Sequence, residues 1–211
     1  MIGQWRTPQE AFWSGDFGDE YIERSSGPEL VAIATRLWAE ILSSTGRIGS
    51  AIEFGPNVGN NLRALRQLRP NIELTAVEIN ERAVAELERL EWVDVRHGSF
   101  LDPHAEGTFD LAFCCGVLIH IAPEALSDAY DRLHAASRRY VLISEYYNPT
   151  PVAIPYRGHD DRLFKRDFAG ELLDRFDDLR LVDYGFRYRR DTSFPGDDVN
   201  WFLLEKQPAV R

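Results

Sequence analysis

With 211 residues, 44% of them hydrophobic and 27% charged, the chain has the size and make-up of one globular domain that needs neither disulfides nor a structural metal to hold its core. Its 34 acidic and 24 basic side chains leave a formal charge of -10. That balance argues against nucleic acid as the main partner, because affinity for a phosphate backbone rests on Lys and Arg. The two cysteines, Cys114 and Cys115, are adjacent in an apolar run, a spacing that suits neither a disulfide framework nor a zinc site and fits a reducing compartment.

The start of the chain, through Pro8, has no apolar run long enough for a signal peptide, and no stretch reaches the roughly 18 apolar residues of a membrane span. A cytoplasmic protein with no membrane or nucleic-acid partner and no metal is expected, its oligomeric state left open with a homodimer among the options. Residues 8–24 mix aromatics and acids without sheet alternation, and a helix over 28–42 follows, opened by Ser26-Gly27-Pro28-Glu29 with proline in its first turn. Residues 1–49 are read as a helical cap or lid.

From Ser50 onward, β-rich runs alternate with helical patterns. Strands are expected at 51–54, 73–78, 93–96, 111–115, 140–145, 179–188 and 200–205. Between them Leu62, Leu65 and Leu68, then Ala83, Leu87 and Leu90, then Leu126, Tyr130, Leu133 and His134 recur at helical spacing. No helix pattern separates the last two strands, and Pro195-Gly196-Asp197-Asp198 reads as a turn. The expected fold is α/β: a Rossmann-like, doubly wound, mostly parallel sheet of seven strands over 50–211, closed by a C-terminal antiparallel hairpin. One long irregular stretch, 146–162, carries Pro149, Pro151 and Pro155 with Tyr146, Tyr147 and Tyr156, a composition that fits a functional loop better than a disordered one.

The densest chemistry lies in Glu53-Phe54-Gly55-Pro56-Asn57-Val58-Gly59-Asn60-Asn61, a strand that runs into a glycine turn and then a helix. Gly55 and Gly59 allow close approach of a ligand, and Asn57 tolerates a left-handed backbone. Glu78 ends the next strand 19 residues after Gly59, an offset that suits a carboxylate holding ribose hydroxyls. A P-loop would need lysine where Asn60 stands, and a dinucleotide fingerprint would need a third glycine. Glu53 would repel a pyrophosphate but attract a cationic ligand end such as the ammonium and sulfonium of S-adenosylmethionine.

These residues resemble the first motif of the class I S-adenosylmethionine-dependent methyltransferases, with Asn57 in place of the usual middle glycine. The resemblance runs over about residues 50 to 146 and takes in Arg96-His97-Gly98-Ser99-Phe100 and the run from Phe109 to His120. It implies that Ser99 and Phe100 flank adenine, that Cys115 and Gly116 line the sulfonium channel, and that Ile79 and Asn60 join the cofactor site with Glu53, Gly55, Asn57, Gly59 and Glu78. A narrower resemblance, to methylases associated with pseudaminic acid biosynthesis, rests on Phe12-Trp13-Ser14-Gly15-Asp16-Phe17, Glu145-Tyr146-Tyr147-Asn148-Pro149, Tyr156-Arg157-Gly158-His159 and Arg162-Leu163-Phe164-Lys165.

Several side chains keep two readings. His120 and His159 are either core histidines bonded to carbonyls or groups that orient an acceptor or take its proton. Trp13 and Tyr21 are either apolar caps or a cover over the cofactor, with Arg24 pairing the cofactor's carboxylate. Glu145 ends the fifth strand, where ligands of open α/β sheets collect, and with Tyr146 and Tyr147 suits a cationic acceptor. Asp160 suits the same cation, and Tyr156 lies in the same loop. Arg157 and Arg162 suit instead a sugar acid such as a pseudaminic acid derivative. The expected activity is methyl transfer to nitrogen or oxygen of a small polar metabolite, either an arginine-like amine or a nonulosonate. The rivals are a nicotinamide-dependent oxidoreductase and a non-catalytic S-adenosylmethionine-binding module.

Overall fold

A computed structural model describes residues 5–103 and 108–207; the outer ends of the expected cap and of the 50–211 segment lie outside the described residues. Two helices come first, α1 (Pro8–Ser14) and α2 (Asp16–Arg24), followed by α3 (Pro28–Ser43). Then come β1 (Ser50–Phe54), α4 (Asn60–Leu68), β2 (Glu73–Glu78), α5 (Glu81–Glu88), β3 (Val93–His97) and β4 (Phe109–Cys115). The chain continues through α6 (Leu126–Ala136), β5 (Ser137–Glu145), a short ribbon of β6 (Val152–Ala153) and β7 (Phe164–Lys165), α7 (Phe168–Arg175), β8 (Leu179–Arg187) and β9 (Val199–Lys206).

Strands β1, β2, β4 and β5 carry short apolar runs and are buried at most positions, which only a sheet covered on both faces accommodates. They form that sheet. Its order is β3-β2-β1-β4-β5-β9-β8, with β1 to β5 parallel and β9 antiparallel to β5 and β8. Alternate residues feed two cores. Ala51, Leu111, Phe113 and Leu142 pack with Trp38, Ile41, Leu65 and Leu87 of α3, α4 and α5. Ile52, Ala112, Val141 and Ile143 pack with Ala129, Leu133, Phe168 and Leu172 of α6 and α7. Strand order reverses between β1 and β4, and the crevice beyond the carboxyl ends of those two strands is where an open α/β sheet collects its ligand.

Two expectations need correction. The segment read as cap up to residue 49 divides: α1 and α2 lie over the crevice end, while α3 lines the cavity with Leu30, Ile33 and Ala34 near its start and joins the sheet's covering layer through Leu37, Trp38 and Ile41. Trp38 of α3 is fully buried, its ring 4.7 Å from that of Phe113, and its Nε1 donates to Asn61 Oδ1 at 3.1 Å. The stretch 146–162 is not wholly irregular, since Val152 and Ala153 pair with Lys165 and Phe164. Too few residues alternate there to show a strand in sequence. No helix among the described residues is long and apolar enough to cross a membrane.

Candidate active site

β1 delivers Glu53 to the crevice and then turns sharply. Gly55, Asn57 and Gly59 all adopt left-handed backbone, at φ of 69°, 51° and 80°. A Cβ on Gly55 would lie 2.7 Å from Val117 Cγ2, so only glycine lets the β1 turn and the β4 turn pack together. Gly59 serves a different contact from the one expected: it opens α4 behind the cavity wall, where a Cβ would meet Leu87 Cδ2 at 2.8 Å.

The crevice holds a cavity of about 440 Å³, a size typical of small-molecule and cofactor sites. Gly55, Asn57 and Asn60 form one wall with Glu53 and Glu78. Both carboxyls are buried in a region of low polarity, which raises their pKa values, Glu53 to about 8. Glu53 Oε1 accepts from Asn61 Nδ2 at 2.7 Å, whereas the buried Oε2 has no hydrogen-bond partner among the described residues. The Asn57 side-chain oxygen is in the same state. Glu78 is fully engaged: Oε2 accepts from the Asn57 N–H at 2.8 Å, and Oε1 from the N–H groups of Ile79 and Asn80 at 2.8 and 2.9 Å. It therefore locks the glycine turn to the end of β2.

Ile79, Ser99 and Phe100 border the cavity beyond Glu78. Phe100 is stacked on Phe54 with ring centroids 4.3 Å apart, and the Ser99 hydroxyl donates to Glu10. Glu10 is a contact the sequence reading missed, although Thr7-Pro8-Gln9-Glu10 carries a legible capping box. With its other oxygen Glu10 accepts from the Thr7 N–H at 2.7 Å, so one carboxylate both caps α1 and ties it to the sheet. Asn80 is a second anchor, donating to the carbonyl of Trp13 at 3.3 Å and to Asp19 at 2.8 Å. Asn60 donates to the carbonyl of Ser25 at 2.7 Å.

These ties hold Trp13, Tyr21 and Arg24 on the cavity wall. Arg24 also pairs with Glu20 at 3.7 Å. Trp13 packs edge-on against Phe17 and Tyr21, and its buried Nε1 has no partner among the described residues.

β4 ends on Cys115, and Gly116 and Val117 follow on the cavity wall before a single 3-10 turn, Leu118–His120. Cys114 is core and Cys115 wall; burial raises both thiol pKa values well above the ordinary range, which makes them poor nucleophiles. His120 faces the cavity beside Trp13, with ring centroids 4.5 Å apart. Its Nδ1 lies 2.6 Å from the carbonyl of Arg162. A carbonyl only accepts, so Nδ1 carries the proton and Nε2 the lone pair. Burial lowers the pKa to about 4, leaving the imidazole neutral near pH 7.

Glu145 corrects the expectation most clearly. The residue is 3% exposed, and its carboxylate accepts from the N–H groups of Val117, Leu118 and Ile119 at 3.0, 3.1 and 3.4 Å. It fixes the turn that presents His120 and does not line the cavity. Tyr147 is 41% exposed and lies against Phe202, away from the crevice. Tyr146 is partly buried under Lys165, and its hydroxyl faces Asp197 on the cavity wall.

The rest of the 146–162 segment clamps the cap instead of lining the cavity. Tyr156 lies 5.4 Å from the His120 ring, His159 edge-on to Phe12 at 5.1 Å, Arg157 over Phe17 and Tyr156, and Arg162 over Phe12. Gln9 donates to the carbonyl of Asp161 at 2.9 Å. Asp160 is exposed beside this contact.

Residues 52–139 match the family model described as "Methyltransferase domain". No curated protein matches the chain. Among solved structures, 1,6-didemethyltoxoflavin-N1-methyltransferase of Burkholderia thailandensis, with S-adenosylhomocysteine bound, is similar at a TM-score of 0.70 and 17% identity, over 99% of this chain and 94% of that one. Magnesium protoporphyrin IX methyltransferase of Synechocystis PCC 6803, also with that product bound, gives 0.68 and 13%, over 94% and 98%. A glycopeptide N-methyltransferase gives 0.61 and 14%, over 82% and 95%. Residues 52–139 thus match a methyltransferase domain, on a chain that has the Rossmann-like fold of these methyltransferases.

Proposed function

We propose that the chain transfers the methyl group of S-adenosylmethionine to a nitrogen or oxygen of a small polar metabolite. The observation that carries this reading is the buried, unpartnered Oε2 of Glu53 on the wall of a cavity at the sheet's switch point. An orphaned carboxylate oxygen in a dry wall calls for a cation, which the ammonium end of the cofactor provides. Asn57 offers a second free acceptor, Glu78 holds the turn near the ribose, and Arg24 is available to the cofactor's carboxylate. Ile79, Ser99 and Phe100 border the adenine end, and Cys115 with Gly116 the sulfonium. When bound, the cofactor supplies an electrophilic methyl carbon. The protein's work is to align the acceptor's lone pair behind that carbon and to keep water out. Trp13 and Tyr21 cover the cavity, and His120, with a free Nε2 lone pair, accepts a hydrogen bond from the acceptor and receives its proton.

A dinucleotide is disfavoured, because Glu53 and the two-glycine turn suit a pyrophosphate poorly. The acceptor is a free small molecule rather than nucleic acid or a membrane, and the setting is cytoplasmic. Of the two acceptor classes, an arginine-like amine loses its expected partner, since Glu145 is spent on backbone N–H groups, and a sugar acid of the pseudaminic type gains by comparison. Calorimetric titration with S-adenosylhomocysteine and with reduced nicotinamide dinucleotide tests the cofactor: one-site binding of the first and none of the second is expected. The reverse result would remove the reading.

A further inference from the structure

Along β8 the residues alternate between two environments. Tyr184, Phe186 and Tyr188 are exposed, while Arg187, one step out of phase, is only partly exposed and lines the cavity with Cys115 and Val199. Its register partner is Val199, next to the pair Glu145 and Asn200 that ends β5, so Arg187 stands at the ligand-binding end of the sheet. Burial lowers its pKa from the ordinary value. Yet among the described residues it has no hydrogen bond and no carboxylate within 4 Å, unlike nearby Arg189, which pairs with Asp198.

The turn after β8 lies flat on the guanidinium: a Cβ on Gly196 would fall 2.2 Å from Arg187 Nη2. Asp197 follows on the same wall, exposed at the mouth. A partly desolvated guanidinium that no carboxylate of the described residues contacts within 4 Å, beside a cavity, is a place for an anion, and its planar fork suits a carboxylate. Asp197 beside it, which the Tyr146 hydroxyl also faces, disfavours a doubly charged phosphate and keeps acceptor capacity for hydroxyl or amine protons.

Position in the sheet indicates which ligand's carboxylate this is. β8 stands four places from β1, on the order of 19 Å at about 4.8 Å per strand, on the far side of β4 from the glycine turn. Arg24 already lies on the cap side for the cofactor. We propose that Arg187 anchors a carboxylate of the methyl acceptor and Asp197 receives a neighbouring hydroxyl or amine donor, so that the acceptor is an acidic small molecule of the sugar-acid or amino-acid class. This rests on the methyl-transfer reading above.

The test uses the full chain, tritiated methyl donor and a cellular metabolite extract whose products are separated by anion exchange at neutral pH. Label is expected in a retained, acidic product. Arg187→Met should lower that label by about thirtyfold or more, with Arg187→Lys intermediate. S-adenosylhomocysteine affinity should stay within roughly twofold in both variants, which also reports that they fold. Label confined to the unretained fraction would overturn the proposal. So would acidic label that Arg187→Met leaves undiminished. A large loss of S-adenosylhomocysteine affinity in Arg187→Met, with 5′-methylthioadenosine binding unaffected, would overturn it too, by assigning the arginine to the cofactor's carboxylate. If the wild-type protein binds no S-adenosylhomocysteine and transfers no label, the methyl-transfer reading itself fails.

Discussion

Replacing Glu53 with glutamine should remove a proton-linked component of cofactor binding. In the unliganded protein the Glu53 carboxyl has a pKa of about 8, chiefly through burial. At pH 7 it therefore keeps its proton roughly nine times in ten. A ligand ammonium against Oε2 favours the ionised form, so each S-adenosylhomocysteine that binds at pH 7 should release nearly one proton. Affinity should then tighten by up to about tenfold per pH unit between pH 6 and 8. The rise should stop near pH 8, where Glu53 is already ionised and the ligand's own amino group, with a pKa near 7.7 to 8.0, starts to lose its charge. A hydrogen bond to a charged group contributes about 1.5 to 3 kcal/mol, so Glu53→Gln should weaken binding at pH 7 by roughly ten- to a hundredfold. The pH slope should flatten with it. Calorimetry in two buffers of different ionisation enthalpy reads both quantities. A wild-type protein that releases no proton, or a glutamine variant that binds as tightly as wild type, would refute the reasoning.

The same carboxyl carries a stability signature of opposite benefit. Glu53 and Glu145 have folded-state pKa values of about 8 and about 7, above the ordinary 4.5, so between these limits the folded state holds protons the unfolded state has lost and stability falls as pH rises. Glu53→Gln should therefore melt above wild type at pH 9 and close to it at pH 4, as followed by circular dichroism. Gly18→Ala should do the reverse of an ordinary helix substitution: a Cβ there would lie 1.9 Å from the Trp13 carbonyl, so the cap shifts and S-adenosylhomocysteine binding drops about tenfold or more, although alanine by itself favours a helix by about 1 kcal/mol. Equal binding would show that the cap does not shape the cavity. His120→Ala should cut turnover by about a hundredfold and leave cofactor affinity unchanged. Because His120 titrates near pH 4, the wild-type rate should show no loss from its protonation down to about pH 5. Glu145→Gln sets an amide N–H against backbone N–H groups and should lower stability by about 1 to 3 kcal/mol in denaturant titration, an effect absent if the carboxylate faced ligand instead.

The seven strands, the doubly wound layers and the glycine turn are legible because their causes are local. Apolar runs such as Ala51-Ile52 and Ala112-Phe113-Cys114 demand burial on both faces, and Gly55 with Asn57 announces left-handed backbone before any partner is known. The cavity wall from Glu53 to Gly116 follows from that strand and turn pattern. What sequence could not give depends on contacts between distant segments. Glu145 reads as a free carboxylate at a strand end until Val117, Leu118 and Ile119, some 26 to 28 residues away, aim three N–H groups at it. Arg187 was hidden among Tyr184, Phe186 and Tyr188, because an edge strand with aromatics on its outer face gives no sign of which face meets a cavity. Gly18 was a readable but unread signal: a glycine inside a helix marks a close backbone approach, here to Trp13. The aromatic loop reads as functional in sequence, but which of its side chains clamp the cap, as Tyr156 and His159 do, and which face the cavity wall, as Tyr146 does, is set by distant partners.

Methyl transfer itself is tested most directly by incubating the protein with S-adenosylmethionine bearing a trideuteromethyl group and a cellular extract, then weighing all products by mass spectrometry. A small molecule that gains the trideuteromethyl mass, formed in step with S-adenosylhomocysteine, is the predicted result. Deuterium found only in protein or nucleic acid, or no S-adenosylhomocysteine at all, would contradict it.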